Sequence, residues 1–113
     1  MNIDIRTRAQ HSSTALRSFA ETLLADRIGA HHKQVVGASI QLDDVNGPRG
    51  GEDKRCRVIL RLRNKPVVVV SKSAADWYDA VIEATAAARE VLRKVIGRRR
   101  ARRTFIQELP DAA

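Results

Sequence analysis

The chain has 113 residues, 43% of them apolar and 30% charged, with a formal net charge of +8. That length suits one domain with a single modest core, and the balance excludes a disordered chain. No apolar run approaches the roughly 18 to 20 residues of a membrane-spanning helix, Cys56 has no second cysteine for an internal disulfide, and the start MNIDIRTRAQ lacks the basic and apolar regions of an export signal; a cytoplasmic location is the expectation.

Residues 2 to 8 alternate, with Ile3 and Ile5 on one side and Asp4, Arg6 and Arg8 on the other, which predicts a half-buried strand. The polar stretch His11 to Thr14 supplies a turn and a helix cap. Leu16, Phe19, Ala20, Leu23, Leu24 and Ile28 then recur at helical spacing, so a first helix is expected from about Thr14 to Arg27, stopped near Gly29. Val36, Ala38, Ile40 and Leu42 alternate with Val35, Gly37, Ser39 and Gln41, which gives a second strand with the former set as its apolar face. Asp43 to Asp53, rich in glycine with Asn46 and Pro48, is a loop.

The third strand carries the clearest signal. Cys56, Val58, Leu60 and Leu62 face one way, and Arg55, Arg57, Ile59, Arg61 and Arg63 the other. A period of two turns this into a row of guanidinium groups on the sheet face away from the core. Asn64 and Lys65 make a hairpin turn, and Val67 to Val70 a fourth strand.

A last helix is expected from Ser73 to Arg103, with Ser73 as its cap, Asp76 three residues on as in a capping box, and Asp79 near the positive helix end. Tyr78, Val81, Ile82, Thr85, Ala88, Leu92, Val95 and Ile96 would form its apolar face. Gly97 leaves two readings open for Arg98 to Arg103, a continued helix or an arm that orders only on RNA. The element order predicts an α+β two-layer sandwich, β-α-β-β-β-α, with a four-stranded mixed sheet and both helices on one face, a dsRBD-like arrangement. Residues 1–103 would be one domain and 104–113 a flexible tail.

Charge is concentrated in two segments. Residues 89–103 hold eight basic residues against Glu90, and residues 54–65 hold six with no acid, so the rest of the chain sums to −5. Five arginines among positions 98 to 103 repel one another unless an anion is present, and arginine suits phosphate through its bidentate fork. A nucleic-acid surface is the expectation. The basic helix end lacks the bulky apolar face that insertion into a lipid surface requires.

Other constellations carry no chemistry. His31 and His32 are adjacent and stand at no metal-motif spacing to Cys56 or His11, and Asp44-Val45-Asn46-Gly47 lacks the ligands of a calcium loop. Gly47-Pro48-Arg49-Gly50 matches a GXXG clamp, but joins two strands where that module joins two helices. Phe19, Trp77, Tyr78 and Phe105 fall outside the predicted strands, which disfavours base stacking on aromatics of the sheet. No nucleophile and base can be paired, and Asp76 and Asp79 are explained by helix capping. No enzyme, metal or cofactor is expected.

Asn2-Ile3-Asp4-Ile5, Ala15-Leu16-Arg17 and Asp76-Trp77-Tyr78-Asp79-Ala80-Val81, the last similar to a D-x-Y-x-A-I segment, together with Ala84 and Leu92-Arg93-Lys94, resemble the short ribosome hibernation promoting factors. This family includes ribosome-associated translation inhibitor A and is also described as sigma-54 modulation or S30Ae-like. The resemblance covers about residues 2 to 96; Ile82 stands where the family usually has an acid, and the terminal RRRARR is heavier than its usual lysine-rich tail. It implies a non-enzymatic factor that binds 16S-type rRNA of the ribosomal small subunit in the mRNA and tRNA channel and inhibits translation. The expected RNA contacts are Arg93, Lys94, Arg98, Arg99, Arg100, Arg102 and Arg103, with Arg55, Arg57, Arg61 and Arg63 as a second surface and Arg17 carried over from the family. The alternatives are a general structured-RNA or DNA binder and a basic module that grips an acidic protein.

Overall fold

The computed structural model describes residues 4–9, 13–31, 33–44, 54–63, 67–97 and 105–108. Strand β1 (Asp4–Ala9) leads to helix α1 (Thr14–Ile28), followed by a 3-10 turn over Gly29–His31. Strands β2 (Val35–Asp44), β3 (Lys54–Leu62) and β4 (Val67–Ala74) precede helix α2 (Trp77–Gly97) and strand β5 (Phe105–Glu108).

The fold is α+β. The strands lie in the order β1-β2-β3-β4-β5, the central three antiparallel, with β1 parallel to β2 and β5 parallel to β4. The sheet thus has five strands where the sequence predicts four. Phe105–Glu108, expected within a tail, pairs along the edge of β4. Each parallel pair is joined through a helix, as a crossover requires.

One core lies between the helices and the inner sheet face. It is built from Leu16, Ala20, Leu24 and Ile28 of α1, from Ala38, Ile40, Leu42, Cys56, Val58, Leu60, Val68 and Val70 of the central strands, and from α2. On α2 the buried stripe is Ala80, Val81, Ala84, Thr85, Ala88, Val91, Leu92 and Val95. Two residues expected in it, Tyr78 and Ile82, are 38% and 40% exposed. The small alanines at Ala80, Ala84 and Ala88 let the helix axis approach its neighbours, which rotates the larger side chains to the flank.

The helices run parallel, because Phe19 meets Tyr78 edge to face at 4.9 Å and, further along both, Arg27 Nε donates to Thr85 Oγ1 at 2.9 Å. Thr85 is fully buried, and its hydroxyl donates to Val81 O at 2.8 Å, so its polar atom is satisfied in both roles.

The helix starts follow capping chemistry. Ser13 Oγ accepts from Leu16 N at 3.0 Å. At α2 the cap is Asp76, whose Oδ2 accepts from Tyr78 N at 3.0 Å and Asp79 N at 3.3 Å. Ser73, the expected cap, instead lies within β4 opposite Arg55; backbone pairing with β3 carries the strand four residues past Val70. The other end of α2 is Gly97.

In β2 the register shifts between Val35 and Gly37. Val35 pairs with Leu62 and Gly37 with Arg61, so Val36 is the extra residue of a bulge. Val35 is therefore buried at 3% and Val36 exposed at 44%, the reverse of the simple alternation.

Candidate nucleic-acid interface

Cys56, Val58, Leu60 and Leu62 of β3 are buried toward the helices, which turns Arg55, Arg57, Ile59, Arg61 and Arg63 outward. The register extends this outer face sideways. Gln41 and Ser71 flank Arg57, Ser39 and Val69 flank Ile59, and Gly37 and Val67 flank Arg61. Parallel pairing brings Arg8 into line with Gln41, Arg6 with Ser39 and Asp4 with Gly37. No helix of the described residues covers this side.

The arginines of the row are held differently. Arg55 Nη2 lies 3.2 Å from Asp43 Oδ2, an ion pair that leaves its Nε buried and without a hydrogen bond. Arg63 Nε donates to Lys33 O at 2.9 Å, and Arg63 N to Gln34 O at 2.7 Å, tying the end of β3 to the turn before β2. Arg61 is exposed, and its guanidinium occupies the space above Gly37. Among the described residues no carboxylate pairs with Arg61 or Arg63.

Charge is also sorted by the ends of the sheet. Where β2 ends and β3 begins, Asp44 pairs with Lys54 at 2.7 Å and Asp43 with Arg55, and Asp76 and Asp79 open α2 nearby in the fold. Lys54 Nζ also stands 5.5 Å from the Trp77 ring centre. Lys33, Arg61 and Arg63 lie at the opposite end, toward which both helices run.

The expected contact residues thus fall on two sides. Arg55, Arg57, Arg61 and Arg63 share the open sheet face, whereas Arg17, Arg93 and Lys94 are exposed on the helix layer, which packs against the other face. Arg93 pairs with Glu90 at 3.1 Å. Taken by residue, α1 holds Arg17 and Arg27 against Glu21 and Asp26, and α2 holds Arg89, Arg93 and Lys94 against Asp79, Glu83 and Glu90. Each helix is electrically balanced, while β3 has four bases and no acid, with Arg63 following directly after it. Arg98, Arg99, Arg100, Arg102 and Arg103, like His32 and the loop 45–53, lie outside the described residues.

Burial pushes the Cys56 thiol up to about 12, so it stays protonated and serves as a core side chain. Among the described residues no cluster of three histidine, cysteine or acidic side chains is placed to hold a metal ion, and no helix is long and apolar enough to cross a membrane. Gly37 was not among the expected site residues. Its signal was a lone glycine inside a strand pattern, which marks a bulge or a close approach.

No curated protein matches the chain. Among solved structures, the N-terminal domain of Thermus thermophilus Protein Y superposes with a TM-score of 0.63 at 22% identity, covering 83% of this chain and 98% of that one. A ribosomal subunit interface protein from Coxiella burnetii gives a TM-score of 0.67 at 18% identity, covering 87% and 100%. Both share the fold. The model of the ribosome-associated family described as sigma 54 modulation protein / S30EA ribosomal protein matches residues 3–100, and the chain belongs to that family.

Proposed function

We propose that this chain is a ribosome hibernation factor that inhibits translation by binding small-subunit rRNA in the channel for mRNA and tRNA. The observation that carries the reading is the arginine row on a sheet face that no helix of the described residues covers, in a member of a ribosome-associated family. Phosphate dominates the affinity of such a surface, and A-form RNA is recognised mainly by shape and backbone, so a basic dsRBD-like wedge without strand aromatics in β2, β3 or β4 suits rRNA. The arginines at 98, 99, 100, 102 and 103 belong to the proposed contact set, with Arg93 and Lys94 on the preceding turn and Arg17 on α1. The action is steric and electrostatic, with no catalytic step and no cofactor, and its place is the cytoplasm.

Purified protein mixed with small ribosomal subunits is expected to co-sediment through a sucrose cushion at low salt. Its absence from the pellet would overturn the reading. Binding to naked duplex RNA as tight as to subunits would favour a general RNA binder. Binding that free RNA fails to displace would favour an acidic protein partner.

A further inference from the structure

Gly37 lies inside β2, where glycine weakens a strand relative to alanine. Its φ lies outside the left-handed region, so backbone conformation does not call for glycine. What calls for it is Arg61 across the strand pair. A Cβ at Gly37 would stand 2.1 Å from Arg61 Nη2, 2.7 Å from Cζ and 3.0 Å from Nε. The guanidinium occupies the room that the missing side chain leaves.

The neighbouring bulge sets this pairing, since Gly37 faces Arg61 only because Val36 is looped out of the register. Along the same row Asp43 holds Arg55 and Lys33 O holds Arg63. Three of the four arginines are thus seated by a group on β2 or its leading turn. Alternate residues of a strand stand about 6.8 Å apart, so these side chains form a track along β3.

We propose that β3 is a pre-seated guanidinium track for one nucleic-acid backbone and that Gly37 is a positioning residue that seats Arg61 in it. This rests on the proposed rRNA binding. Seating a long side chain before binding removes part of the ordering entropy that an arginine otherwise loses on contact with phosphate.

The test uses the full chain and small ribosomal subunits, measuring Kd at several salt concentrations for wild type, Gly37→Ala, Arg61→Ala and the double variant, with a thermal melt of each. The atoms that a Cβ at Gly37 would meet are the far end of the flexible Arg61 side chain, so Gly37→Ala is expected to fold, with Tm equal to wild type or higher. Arg61→Ala should weaken binding about tenfold and flatten the salt slope by roughly one phosphate contact. Gly37→Ala should weaken binding severalfold, and in the Arg61→Ala background should add nothing. Wild-type affinity in Gly37→Ala, an additive loss in the double variant, or a fall in Tm matching the loss of binding would each overturn the proposal. Arg61→Ala binding as wild type would remove the track from the interface while wild-type co-sedimentation still stood, separating this failure from that of the functional reading.

Discussion

Thr85 is the residue on which the two helices are tied. Its hydroxyl is shared between Val81 O and Arg27 Nε, and it is fully buried, so Thr85→Val keeps the shape and removes both bonds. The expected cost is about 1 kcal/mol, since half-buried Arg27 can turn to water while the packing stays filled. On a domain of this size that lowers Tm by roughly 4 °C, which a thermal melt resolves. An unchanged Tm would show that the bond contributes nothing net. At this scale the sequence told only part of the story. Thr85 was legible as a buried position on an apolar stripe, but its polar partner stands 58 residues away and no spacing rule reaches it.

At the scale of elements, β3 was the most legible, because arginine and apolar residues alternate with so large a difference in burial cost that only one orientation is tolerable. The start of β2 was not, since Val35 and Val36 are equally apolar and a bulge decides between them. The start of α2 was misplaced by the sequence for a similar reason: Ser73 and Asp76 both cap helices, and strand pairing to Arg55 takes Ser73 into β4 and leaves the cap to Asp76. Asp76→Ala should therefore cost about 1 kcal/mol, read by denaturant unfolding, with Asp76→Asn restoring most of it. A neutral Asp76→Ala would return the cap to another residue. The exposed Tyr78 and Ile82 show that periodicity finds an apolar arc without showing which side of it touches the sheet. β5 is four residues long and follows a run of arginines, so no local pattern announces it.

For the molecule as a whole, the sequence located both basic segments, but their places relative to each other depend on which layer each joins. The described helices carry balanced charge, so the excess resides on β3 and in the run after Gly97. Replacing Arg98, Arg99 and Arg100 together by Ala is expected to lower the slope of log K against log salt by up to about three phosphate contacts' worth. An unchanged slope in a salt titration would remove that segment from the contact surface. The sorting of charge by the ends of the sheet has a consequence before any contact is made. Acids pair with bases where β2 ends, whereas Lys33, Arg61 and Arg63 stand without carboxylate partners among the described residues at the opposite end. The charges of the described side chains in β2, β3 and the turn before β2 therefore attract a polyanion more at one end than at the other and exert a torque on the protein as it diffuses in. The approach is oriented, so a larger share of collisions arrives with the arginine-bearing end leading, an advantage in encounter rate that added salt removes.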